Sequence, residues 1–180
     1  DGGTNSRVFS TILTWMQEKT KPVFVVATAN DISQLPPEFL RKGRFDEIFF
    51  VDLPTKEERK EILRIHLSKN NQTGIHELDG LADATRLFNG AEIEEAVKES
   101  MFMAYVDNPT NPIVNVHHLE TACTQIIPLA KTMSEKIRGL RAWADDRARR
   151  ASIIANQELL PENQVDIKKT KREKDEDTFG

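Results

Sequence analysis

Three polar side chains in the first quarter of the chain have the types and spacing of a phosphate-handling site: Asn30, Arg41 and Arg44. Asn30 follows the unbroken apolar run Val23-Phe24-Val25-Val26-Ala27 and the small pair Thr28-Ala29. An amide delivered to a strand tip in this way can orient a water beside a γ-phosphate. Taken alone, Asn30 is also a residue that caps a turn with Asp31, since Asn and Asp favour turns. Arg41 and Arg44 stand three apart around Gly43. A guanidinium brings charge and a fork of directed donors to phosphate oxygens, and neutralising charge on the transferring group is the main catalytic contribution in phosphoryl transfer. The plain alternative is two surface arginines in a loop.

The elements that must position these groups follow from patterning. Val8, Phe9, Ile12, Leu13, Trp15 and Met16 recur at helical spacing and predict an amphipathic helix over 6–18, after a flexible loop at 1–5 and before the break at Pro22. The β-branched and aromatic run 23–27 predicts a strand buried on both faces of a parallel sheet. Pro36-Pro37 opens a short helix through Leu40, and 47–51 predicts a second strand, closed by Pro54. Thr55-Lys56-Glu57-Glu58 is a capping-box signature for a helix carrying Ile62, Leu63, Ile65 and His66. Helices are expected at about 77–86 and 91–106, parted by a turn at Gly90, and a further helical pair at 116–129 and 134–150. The division is an α/β part over 1–54, a helical domain with a terminal helix over 55–151, and a charged tail over 152–180. Within that tail the run KKTKREKDED at 168–177 reads as disordered.

Composition narrows the function classes. The 180 residues are 38% hydrophobic and 30% charged, which suits a helical protein with a highly charged portion. A net charge of −4 provides no global basic field for nucleic acid, and Asp145-Asp146 interrupt the arginine-rich segment 138–150. That segment is better read as an amphipathic helix packing through Ile137, Leu140 and Trp143. The single cysteine, Cys123, excludes an internal disulfide framework and a cysteine zinc cluster; it reads as a small buried side chain. His117 and His118 are adjacent, point about 100° apart on a helix and make a poor metal pair, so no metal site is expected. No apolar run approaches the roughly 20 residues that span a bilayer. A first residue of Asp rather than Met suggests a fragment or a trimmed chain.

The string 23–54, with Leu40-Arg41-Lys42-Gly43-Arg44-Phe45-Asp46 at its centre, resembles the second region of homology of AAA ATPases. The likeness runs from about Gly2 to Ser152. Segments 13–19, 36–47, 132–137 and 140–144 are most similar to a bacterial group that includes cyanobacterial and plastid-encoded AAA proteins of poorly defined function. The resemblance implies a P-loop NTPase (AAA+) α/β remnant followed by an all-α lid and the charged tail. It makes Asn30 sensor 1, and Arg41 and Arg44 the arginine fingers that enter a neighbouring subunit's nucleotide site. It places His66 beside adenine and ribose, and Gly90-Ala91 at the start of the sensor 2 helix, where Glu92 replaces the usual Asp. The implied cofactor is ATP or ADP with magnesium. The implied assembly is a homo-oligomeric, hexameric ring that remodels an unknown protein client in bacterial cytoplasm or plastid stroma, with no membrane or nucleic-acid partner. No GxxxxGK[ST] motif occurs in the sequence and no Asp-Glu strand end precedes Asp1. The chain by itself is therefore expected not to hydrolyse ATP, and magnesium to be held mainly by an upstream half. The competing reading is a non-catalytic AAA-like module that binds proteins.

Overall fold

The computed structural model describes residues 2–41 and 43–152. The expectations for Asp1, Lys42 and the tail 153–180 lie outside the described residues. Helix α1 spans Gly2–Glu18, so it begins within the stretch expected as a loop. Two 3₁₀ turns follow, Ile32–Gln34 and Pro37–Leu40, the second being the short helix expected through Leu40. Strand β1 is short, Phe49–Phe50.

The predicted strand at 23–27 is not formed; the segment runs without regular structure, with Phe24 93% and Val26 74% exposed. A parallel strand needs hydrogen-bonded neighbours along its edges, and among the described residues none lies beside it. The apolar run alone does not make a strand.

The remainder is helical: α2 (Lys56–Lys69), α3 (Asp79–Ala84), α4 (Gly90–Asp107), α5 (Val116–Gln125), α6 (Leu129–Thr132) and α7 (Ser134–Arg147). The Thr55 capping box forms as the sequence predicts. Glu58 N–H donates to Thr55 Oγ1 at 3.3 Å and Thr55 N–H donates to Glu58 Oε2 at 2.8 Å. A second capping box joins Asn89 and Glu92, which makes Asn89 the N-cap and Gly90 the first helical residue of α4. Helices α2, α3, α4 and α5 pack together. Their core contains Leu63, Leu67, Leu81, Ile93, Val97 and Leu119, all at most 2% exposed.

The C-terminal end departs from the expected helix. Backbone at Ala148 turns extended, and Arg149–Arg150 form β2, which pairs in parallel with β1. Arg149 N–H donates to Ile48 O at 2.8 Å and Ala151 N–H to Phe50 O at 2.9 Å. The last described residues thus return to the α/β part.

Candidate nucleotide-handling site

Asn30 is exposed and stands where the 23–29 segment meets the first 3₁₀ turn. Asp31 fixes that junction as the N-cap. Its Oδ1 accepts from Ser33 N–H at 3.0 Å and from the Ser33 hydroxyl at 2.6 Å. Its Oδ2 accepts from Lys136 Nζ of α7 at 2.8 Å, across 105 positions of sequence. The Lys136 hydrogen bond, then those from Ser33, hold the Asp31 carboxyl down to about 2. The turn-cap role weighed for Asn30 therefore belongs to its neighbour.

Arg41 and Arg44 bracket a tight turn in which Arg44 N–H donates to Arg41 O at 3.3 Å. Gly43 occupies the third position with φ +91°, in the left-handed region that favours glycine. Arg41 is exposed and Arg44 half-buried. The turn hangs from an aromatic row. Phe39, 7% exposed, meets Phe9 of α1 edge-on at 5.1 Å and Phe45 at 6.3 Å between ring centroids. These phenylalanines hold the arginine loop against α1. A Cβ at Gly43 would meet nothing within 4 Å, so a substitution acts through backbone strain alone. Gly43→Ala is expected to cost about 1–2 kcal/mol in denaturant unfolding. A neutral result would show that the turn relaxes freely.

His66, Gly90 and Ala91 lie on the helical part, apart from Asn30 and the arginine turn in sequence and element. His66 is half-buried on α2. It lies near α4: the Glu94 carboxyl is held below its ordinary range first by its hydrogen bond to Lys98, with smaller contributions from His66 and Lys69. Gly90 lines a cleft of about 610 Å³ with Ile62 of α2, the 50–54 segment, and Ile137 and Leu140 of α7. Ala91 is exposed at the next position. Glu92 does two jobs: Oε2 accepts from Asn89 N–H at 2.7 Å and Oε1 from Leu129 N–H at 2.6 Å. The longer carboxylate thereby ties the start of α4 to the start of α6.

Sequence reasoning missed the groups that anchor the 50–54 segment. Arg59, 1% exposed, donates Nε–H to Ala82 O at 3.0 Å and Nη1–H to Pro54 O at 2.9 Å. Asp52 Oδ1 accepts from Arg141 Nε at 3.0 Å and Nη2 at 2.8 Å, and Arg150 lies 3.6 Å from Oδ2. Glu58 Oε1 accepts from the Ser152 hydroxyl at 2.7 Å, the leading cause of its lowered pKa. A charged residue inside a helix carries no local mark of such distant partners.

The remaining candidates are structural. His118 is buried; its backbone N–H donates to Asn115 Oδ1, its Nδ1 accepts from Asn115 N–H, and its Nε2 meets Asp107 at 2.9 Å. His117 is exposed. Cys123 is buried, and desolvation pushes its thiol up to about 11. Among the described residues no group of three or more His, Cys, Asp or Glu side chains is placed to hold a metal. No helix among the described residues is long and apolar enough to cross a membrane.

A small parallel sheet and a helical domain, with a loop of paired arginines ahead of both in the chain, suit a P-loop nucleoside triphosphatase remnant. Residues 1–53 match the family model described as "ATPase family associated with various cellular activities (AAA)". The chain belongs to the AAA family. It is 50% identical over 159 residues to an "Uncharacterized AAA domain-containing protein ycf46" of Pyropia yezoensis, a match that covers 85% of this chain and 31% of that protein. It is 39% identical over 104 residues to the "Proteasome-activating nucleotidase" of Sulfurisphaera tokodaii, covering 58% and 26%. The fold is similar to the crystal structure of the FIGL-1 AAA domain in complex with ADP, with TM-score 0.53 and 17% identity over 65% of this chain and 42% of that one. The match to the Pyropia protein spans under a third of that relative's length.

Proposed function

We propose that this chain is the C-terminal portion of an AAA ATPase that remodels a protein client as a homo-oligomeric ring, hexameric by resemblance. In this reading Asn30 is sensor 1 and orients the attacking water. Arg41 and Arg44 are trans-acting fingers that neutralise charge on the γ-phosphate bound to a neighbouring subunit. His66, Gly90 and Ala91 form the lid's contact with the nucleotide base and ribose. Magnesium and the β- and γ-phosphates are held elsewhere in the working protein, because no phosphate-cradling motif occurs in the sequence. The compartment is bacterial cytoplasm or plastid stroma.

The arginine turn carries this reading. Its glycine geometry and aromatic mounting hold the exposed Arg41 and the half-buried Arg44 on one tight bend. An incidental pair of loop arginines has no need of a positive-φ glycine between them. Nucleotide binding and turnover, measured on this chain and on a protein of its relatives' length, test the proposal. The chain alone is expected to show no turnover, and the longer protein to hydrolyse ATP. A longer protein that neither binds nor hydrolyses ATP would leave the AAA fold here as a protein-binding scaffold.

A further inference from the structure

We propose that Phe9 of α1 is a positioning residue for Arg41 and Arg44, acting through the ring of Phe39. The inference rests on the reading of these two arginines as fingers. A guanidinium that must meet a phosphate in another subunit needs a fixed backbone, because a misplacement of about 1 Å can cost about 100-fold in rate. The turn that carries the arginines does not supply that fixity alone. Gly43, the residue type with the most backbone freedom, lies between them at φ +91°. The bond that closes the turn, Arg44 N–H to Arg41 O, is 3.3 Å, at the long end for an N–H donor.

The limb before the turn is stiff. Pro36 and Pro37 lock their own φ angles, Phe39 N–H donates to Pro36 O at 2.9 Å, and Arg41 follows as the C-cap of the 3₁₀ turn. Phe39 is 7% exposed and meets a ring on each side. Phe45, the residue after Arg44, lies tilted at 30° with centroids 6.3 Å apart, so Phe39 joins the limbs before and after the turn. Phe9 meets the same ring edge-on, at 76° and 5.1 Å. Both separations lie in the range of about 4.5–7 Å in which aromatic pairs attract, and an edge-to-face pair constrains direction as well as distance. Phe9 is half-buried and belongs to a separate element. Helix α1 therefore fixes the seat of Phe39, and Phe39 that of the turn. Leucine fills much of the same space but has no ring edge to offer.

The test uses a protein of the relatives' length and has two readouts. Subunits are first mixed so that one kind supplies the arginines but has a disabled phosphate-binding loop, while the other binds ATP but carries Arg41→Ala and Arg44→Ala. Phe9→Leu in the arginine-supplying subunit is expected to lower kcat of the mixture by about 10- to 100-fold, with KM for ATP unchanged. Phe9→Tyr, which keeps the ring, is expected near wild type. Phe9→Leu in the ATP-binding subunit is expected to leave turnover unchanged. An equal loss in both placements, or none in either, would overturn the positioning role. The second readout is backbone amide exchange. Phe9→Leu is expected to reduce protection of the Phe39 and Arg44 N–H groups about tenfold while Leu63 and Ile93 keep theirs. Unchanged exchange at 39 and 44 would overturn the link through Phe39. If the mixture with Phe9 intact has no turnover, the finger reading fails and the positioning role with it, and the exchange result alone decides whether the aromatic row fixes the turn.

Discussion

Arg44→Ala, in a protein of the relatives' length, is expected to lower ATP turnover by about 10³-fold or more, the scale of arginine fingers in phosphoryl transfer. That loss corresponds to about 4 kcal/mol of transition-state stabilisation. It exceeds anything a surface arginine contributes to folding, where exposed ion pairs are worth about 0–1 kcal/mol. The two explanations for a damaged variant therefore separate on magnitude. A lysine at this position is expected to recover little, because a point charge does not reproduce the guanidinium fork. Arg41→Ala is expected to fall in the same direction. The backbone of the turn runs through Gly43 and the Arg44 N–H to Arg41 O bond, which neither side chain supplies. Unfolding of the Arg44→Ala chain is expected to change by no more than about 1 kcal/mol. Near-normal turnover would remove the finger role.

The second large effect is on stability. Arg59 is buried to 1% exposure and satisfies the carbonyls of Pro54 and Ala82, on either side of the junction between the α/β part and the lid. Arg59→Ala leaves these acceptors without that donor and opens a void beside Leu63 and Ala82. Ala82 O keeps the Thr85 hydroxyl at 3.2 Å, so Pro54 O is the acceptor that loses this partner; one unsatisfied group at about 1–3 kcal/mol, together with the void, gives an expected loss of about 2–4 kcal/mol in urea unfolding of this chain. Arg59→Met separates the causes, since it keeps most of the stem volume but donates nothing. If both variants lose equally, hydrogen bonding dominates; if methionine is near wild type, packing does. A change below about 0.5 kcal/mol in Arg59→Ala would show that water reaches the site.

Local rules made the helical half legible. The Thr55 capping box stands where its sequence places it, and the apolar positions Leu63, Ile93, Val97 and Leu119 fill the core. Cys123 is a buried small side chain, as its surroundings in sequence suggest. Among the site residues, the Gly between two arginines was the informative mark, because only a special backbone asks for glycine there.

What stayed illegible depends on partners distant in the chain. The run 23–27 has strand composition, but a strand in a parallel sheet is made by its neighbours, and none of the described residues supplies them. The α7 end reads as continuous helix until β1 captures Arg149–Arg150. Asp31, Asp52 and Glu92 look like ordinary surface carboxylates. Their partners Lys136, Arg141 and the Leu129 N–H lie between 37 and 105 positions away. Long-range ion pairs carry no periodicity, so nothing in the sequence announces that α7 carries the partners of Asp31 and Asp52.

The most direct test of the central claim is subunit mixing in a protein of the relatives' length. One variant carries Arg41→Ala and Arg44→Ala with its own phosphate-binding residues intact. The other keeps both arginines but has a disabled phosphate-binding loop. Each alone is expected to be inactive. Mixed before assembly, they should recover ATP turnover, because arginines of one subunit complete the site of the next. Turnover that stays at background in the mixture, although mixed oligomers are detected, would contradict fingers acting in trans.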